Sequence, residues 1–105
     1  LQYLSKHFTD RSLSIEQVAA LSGLSERQFR RIFTELYSMT PVRYLTLLQI
    51  DRAKELLDNS FRTVTEIAEQ AGFSDIYYFS KQFKAETGET PTQYRLNHST
   101  LTEPR

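Results

Sequence analysis

Three arginines, Arg27, Arg30 and Arg31, stand at i, i+3 and i+4 of a stretch whose apolar residues recur at helical spacing. On a helix such positions share one face. Each guanidinium carries a planar fork of donors that matches O6 and N7 of guanine in the major groove. The same fork serves phosphate oxygens. Fifty residues on, a second helical stretch places Ile76, Tyr77, Ser80 and Lys81 in outward positions. Here apolar and aromatic groups suit thymine methyls and sugar edges, and only the lysine brings charge. Ser25, Ser74, Arg43 and Lys84 flank the two sets and suit phosphates, the serines at helix N-termini and the cations by charge. The bland reading of the arginine set is a solvated face held by pairs such as Arg31 with Glu35. For Ile76 and Tyr77 it is a partly buried edge or a protein contact.

Other chemistry finds little support. There is no cysteine, which excludes disulfides and thiolate metal sites. His7 and His98 have no second ligand at metal spacing. Asp51, Glu55 and Asp58 lie along one polar helix face and read as solvated. No cluster of nucleophile, base and oxyanion donor is present, so no enzyme, cofactor or metal is expected. Asn97-His98-Ser99 fits a glycosylation sequon, a pattern common by chance. No apolar run approaches the roughly 18 residues of a membrane span, and no basic-then-apolar leader opens the chain. The chain starts at Leu1 rather than Met, which reads as a piece of a longer protein.

The elements that position these residues can be read from caps and repeats. Only 3 Gly and 3 Pro occur in 105 residues, and the pattern is all-α. Ala19, Gly23 and Ser25 recur 49 residues later as Ala68, Gly72 and Ser74. After one extra residue, Asp75, the offset becomes 50. Phe29, Phe33, Thr40, Pro41 and Tyr44 then match Phe79, Phe83, Thr90, Pro91 and Tyr94. Two copies of one unit of about 30 residues are therefore expected.

Ser14…Gln17 and Thr63…Glu66 are capping boxes that open short helices over 15–22 and 64–71. Gly23 and Gly72 supply the tight turns. Ser25, and Ser74 or Asp75, cap helices over 26–37 and 76–87. Thr40-Pro41 and Thr90-Pro91 place a cap before a proline at the first helical position, opening helices over 41–58 and 91–97. A further helix is expected over about 2–9. Phe29, Ile32, Phe33 and Leu36 should form the buried stripe of the first 12-residue helix, and Phe79 and Phe83, with Phe73 before them, that of the second. Tyr44, Leu45, Leu48, Leu56 and Leu57 of the long connector can serve both cores. The domain plan is a first helix-turn-helix unit over 1–40, a linker helix over 41–58, a second unit over 59–97, and a tail over 98–105 that reads as disordered.

Thirteen basic residues face thirteen acidic ones, for a formal net charge of zero. That excludes a protein coating polyanions by bulk charge. The distribution is uneven, however. Between Arg27 and Arg43, four arginines face a single acid, Glu35, for a local balance of +3. Non-specific attraction to DNA should be modest, leaving more of the affinity to base contacts or to a second binding element.

The stretch Ile67-Ala-Glu-Gln-Ala-Gly-Phe-Ser74, then Tyr78-Phe-Ser-Lys-Gln-Phe-Lys84, Gly88-Glu-Thr-Pro91 and Gln93-Tyr-Arg95 resembles the signature of the AraC/XylS family of bacterial transcription regulators. The resemblance covers about residues 1–96. It implies seven helices, with two helix-turn-helix units joined by a long central helix and the second helix of each unit in a major groove. The implied base-facing positions are Arg27, Arg30 and Arg31 in the first unit and Ile76, Tyr77 and Lys81 in the second. It also implies double-stranded DNA as partner, contact with RNA polymerase, usually in activation, and a separate effector or dimerisation domain N-terminal to this one. The setting would be the bacterial cytoplasm, at the nucleoid. Two positions depart from the family pattern: Ser38 stands where Gly often ends the first recognition helix, and Gln49 where the connector often has Arg. The rival reading is a helical protein-interaction module without DNA affinity.

Overall fold

The computed structural model describes residues 14–99, and over that span the chain is all helical. The helices are α1 (Ile15–Leu21), α2 (Glu26–Tyr37), α3 (Pro41–Asn59), α4 (Val64–Gln70), α5 (Ile76–Thr87) and α6 (Pro91–His98). These are six among the described residues; the helix expected over about 2–9 lies outside them. The connector runs one residue past the expected end. α6 includes His98, so the segment read as a disordered tail begins with a helical residue.

The starts follow from the caps. Ser14, Ser25, Thr63 and Thr90 each form a full capping box with the Gln or Glu three residues on. In the box of α4, the Thr63 amide and hydroxyl hold the Glu66 carboxylate below its usual range, with Arg62 assisting by charge. Thr40 and Pro41 open α3. At α5 the cap is Asp75, whose Oδ1 accepts from the amides of Tyr77 at 2.8 Å and Tyr78 at 3.3 Å. Of the two residues the sequence offered there, the aspartate is used and Ser74 is not.

The two 12-residue helices end in the same left-handed geometry, at Ser38 (φ 60°) and Gly88 (φ 82°). Space is not the constraint, because a Cβ at Gly88 would meet nothing within 4 Å. The constraint is conformational, and Ser38 bears it with a Cβ. Ser38→Gly is expected to stabilise the domain by about 0.5–1 kcal/mol, read as a shift in urea midpoint with unchanged slope. An unchanged or lower midpoint would show that Ser38 sits without strain.

α3 divides its apolar side between two cores. Its first half gives Tyr44, Leu45 and Leu48 to a small cluster around Ile15, Val18 and Phe33. Its second half gives Ile50, Ala53, Leu56 and Leu57 to a larger one with Ile67, Ala68, Ala71, Phe73, Phe79 and Phe83. At about 1.5 Å per residue its 19 residues span roughly 28 Å. Rings carry much of both cores. Phe33 lies 4.7 Å from Tyr37 and 5.6 Å from Tyr44. Phe83 lies 5.7 Å from Phe79 and meets Tyr94 edge-on at 5.3 Å. Burial raises the Tyr94 phenol above its usual pKa, with Asp58, Glu89 and Asp51 adding to it.

The end of α6 is tied down by side chains. Asn97 donates to Glu89 at 2.7 Å, and His98 Nε2 lies 2.8 Å from the other carboxylate oxygen. The His98 ring stacks on Tyr94 at 4.3 Å. These bonds, that of Asn97 foremost, hold the Glu89 carboxyl below its usual range. His98 is thus a structural partner rather than an idle surface histidine.

Candidate nucleic-acid interface

In the first unit, α1 closes with the Leu24 amide donating to the Ala19 carbonyl at 3.1 Å, and Gly23 adopts φ 72°. The turn then delivers α2 with Phe33 inward. Arg27, Arg30 and Arg31 are all exposed, as the spacing required. The ion pair on this face is not Arg31 with Glu35. It joins Arg30 to Glu26 one turn earlier, at 2.5 Å. Among the described residues Arg27 and Arg31 have no ion-pair partner, so both forks are available. Ser25 Oγ accepts from the Gln28 amide at 3.2 Å and contacts its side-chain oxygen at 3.1 Å. It remains exposed at the helix start.

The expected buried stripe of α2 needs correction. Phe33 is buried and Phe29 half-buried, but Ile32 is 37% and Leu36 68% exposed. Among the described residues α2 is covered by α1 and the first half of α3, and these reach only the Phe29–Phe33 edge of the stripe.

In the second unit Gly72 (φ 100°) turns the chain, and the Phe73 amide donates to the Ala68 carbonyl at 2.9 Å. Phe79 and Phe83 seat α5 on the core. This leaves Tyr77 84% exposed and Lys81 and Lys84 exposed beside it. Ser80 is half-buried. Ile76 does not stand outward as expected: it packs partly buried against the core alongside Val64, and only its edge is open. Ser74 is exposed but free of the capping role, which Asp75 takes. Tyr78 was not among the sequence candidates. It is 46% exposed beside Tyr77, its ring 6.2 Å from Phe73. Its place ahead of Phe79 in the second helix was the available signal.

Arg43 is corrected more sharply. Both its terminal nitrogens bond the Glu86 carboxylate, Nη1 to Oε1 and Nη2 to Oε2, the latter at 3.0 Å. That side-chain bonding is the main reason its pKa rises further above the usual arginine value. A guanidinium held in this fork is not poised for a phosphate. Arg95 likewise turns inward, to the carbonyls of Leu57 at 3.4 Å and Ser60 at 3.3 Å at the end of α3. Gln49 is buried and donates to the Gly72 carbonyl at 3.4 Å. It links the connector to the second turn, at the position where the family pattern has Arg.

A family model described as a helix-turn-helix domain matches residues 18–97. The C-terminal domain of AraT, a response regulator from Geobacillus stearothermophilus, superposes with a TM-score of 0.92 at 31% identity, over 99% of this chain and 86% of that one. The chain belongs to the AraC/XylS family of transcription regulators. The family is one of transcription regulators built on a helix-turn-helix domain, and a helical interaction module is not favoured.

The DNA-binding domain of AdpA, a global transcriptional factor solved in complex with a target DNA, is similar at a TM-score of 0.86 and 27% identity, over 91% of this chain and 86% of that one. Among curated relatives, the transcriptional activator RhaS of Escherichia coli is 37% identical over 95 residues, 90% of this chain and 34% of that protein. The MmsAB operon regulatory protein of Pseudomonas aeruginosa is 33% identical over 93 residues, 89% of this chain and 30% of its own length. The chain thus spans about a third of these two relatives. Among the described residues no helix is long and apolar enough to cross a membrane.

Proposed function

We propose that this AraC-family domain reads an asymmetric, two-part site, with α2 and α5 in successive major-groove segments about one helical turn, or roughly 34 Å, apart. The observation that carries this reading is the pair of corresponding outward faces on the second helix of each unit. One bears Arg27, Arg30 and Arg31; the other bears Tyr77 and Lys81. Because the units repeat head to tail on one connector helix, a single chain addresses both segments and the site need not be a palindrome. Ser80 and the open edge of Ile76 border the second contact. Ser25, Ser74 and Lys84 meet phosphates. Bases are read more through charge by the first unit and more through shape and apolar contact by the second.

The rest of the regulator belongs to the same reading. An activator that contacts RNA polymerase, with an effector or dimerisation domain N-terminal to this one, is supported by the activator among its relatives and by their greater length. A seven-helix fold, its first helix over about 2–9, completes it.

Selection of bound sequences from a random DNA pool, at stated salt, tests this. The expected product is one asymmetric site with two constrained blocks a helical turn apart, bound by one chain. A palindrome that needs two chains for any specific affinity, or no salt-dependent affinity at all, would overturn it.

A further inference from the structure

The fork between Arg43 and Glu86 joins parts of the molecule that nothing local requires to meet. Arg43 lies in the first turn of α3, next to Tyr44, on the half of the connector that packs into the first core. Glu86 lies in the last turn of α5, the second reading helix, 43 residues on. The two cores share α3 but divide it between Leu48 and Ile50. How one reading helix sits relative to the other therefore depends on the stiffness of α3 and on whatever side chains cross from one half to the other. This pair crosses.

We infer that Arg43 and Glu86 are positioning residues that fix the spacing and mutual orientation of the two reading helices, and so determine which separation of the two DNA segments the domain accepts. The inference rests on the two-segment reading proposed above. Two parallel bonds between planar groups restrain direction as well as distance, which one bond to a lysine would not. Glu86 is the more enclosed partner, its side chain 14% exposed against 49% for Arg43. The carboxylate is thus fixed to α5 and the arginine reaches over to it. Glu86 also shares α5 with Tyr77, Lys81 and Lys84, so a small rotation at this end of the helix moves all three.

The chain has no cysteine, which permits a test without DNA. Spin labels at Thr34→Cys on α2 and Ala85→Cys on α5, both exposed, report the distance between the reading helices. The expected result is a narrow distribution in the otherwise unaltered chain. It should broaden in Glu86→Gln and in Arg43→Lys, and narrow again when Arg43→Glu is combined with Glu86→Arg. An unchanged width in both single variants would overturn the inference.

The second arm uses the selected DNA site and versions with the two blocks moved apart or together by one base pair. Unaltered protein should reject the shifted sites. Glu86→Gln should lose about twofold to fivefold on the intact site and accept the shifted sites nearly as well, with block preferences unchanged. If Arg43→Lys and Arg43→Ala instead weaken or preserve binding equally on all DNA, with spacing preference intact, Arg43 is a phosphate contact or idle and the inference fails. Loss of all specific binding by the unaltered protein would overturn the two-segment reading, while the label distances would still decide whether the pair restrains the helices.

Discussion

Phe83→Ala is expected to remove about 3–5 kcal/mol of folding stability. Phe83 is fully buried between Phe79 and the edge of Tyr94, where α3, α5 and α6 meet. Truncation would lose the transfer energy of the ring and leave a cavity lined by rigid helices that cannot collapse far into it. A domain of this size holds on the order of 5–15 kcal/mol, so roughly a fifth or more of the total is at stake. Thermal melting should fall by at least about 10 °C. Circular dichroism during urea or thermal unfolding measures this, and unchanged melting would remove the assigned burial. Phe33→Ala, at the equivalent position of the first unit, should cost less. Phe33 shares its cluster with only two other buried apolar residues among those described, Ile15 and Val18, and its neighbours have more room to relax.

That contrast marks where the sequence was legible and where it was not. The repeat carried the architecture because the repeated residues are those with one physical role: hydroxyl caps, glycines at positive φ, and prolines at the first helical position. Ser38, read as a departure at such a point, nevertheless adopts the left-handed geometry of its counterpart Gly88. The inward phenylalanines were equally plain. Periodicity, however, only says which residues share a face. It does not say how wide the covering partner is. Ile32 and Leu36 share a face with Phe33, yet the described neighbours cover only part of it. At Ile76 the opposite happened: a residue expected on the outward side packs partly buried against the second core, as Val64 of α4 also does. Arg43 was beyond reach, since its partner is 43 residues away and no local pattern marks the pair. Charge placed in the sequence as a phosphate contact was already committed within the fold.

Arg31→Ala is expected to cost about 1–3 kcal/mol at the selected site, or roughly 5-fold to 150-fold in affinity, while barely changing stability. Arg31 is exposed on the same face of α2 as Arg27 and has no ion-pair partner among the described residues, so nothing in the domain must be broken before its fork meets a base. The loss should fall on one base position: in a binding assay against single-base variants of the site, the substituted protein should cease to discriminate there and keep its preferences elsewhere. Arg31→Lys separates charge from shape. It should retain most of the non-specific affinity and its salt dependence, yet lose discrimination, because an ammonium cannot present the two parallel donors that O6 and N7 of guanine require. Arg30 provides the internal comparison. It is held by Glu26 and must exchange that carboxylate for DNA, so Glu26→Ala should strengthen binding in the presence of Arg30 and do so less in Arg30→Ala. A uniform loss across all DNA sequences for Arg31→Ala, with the salt slope reduced by about one, would make Arg31 a phosphate contact. The first unit's base readout would then have to come from Arg27 and Arg30.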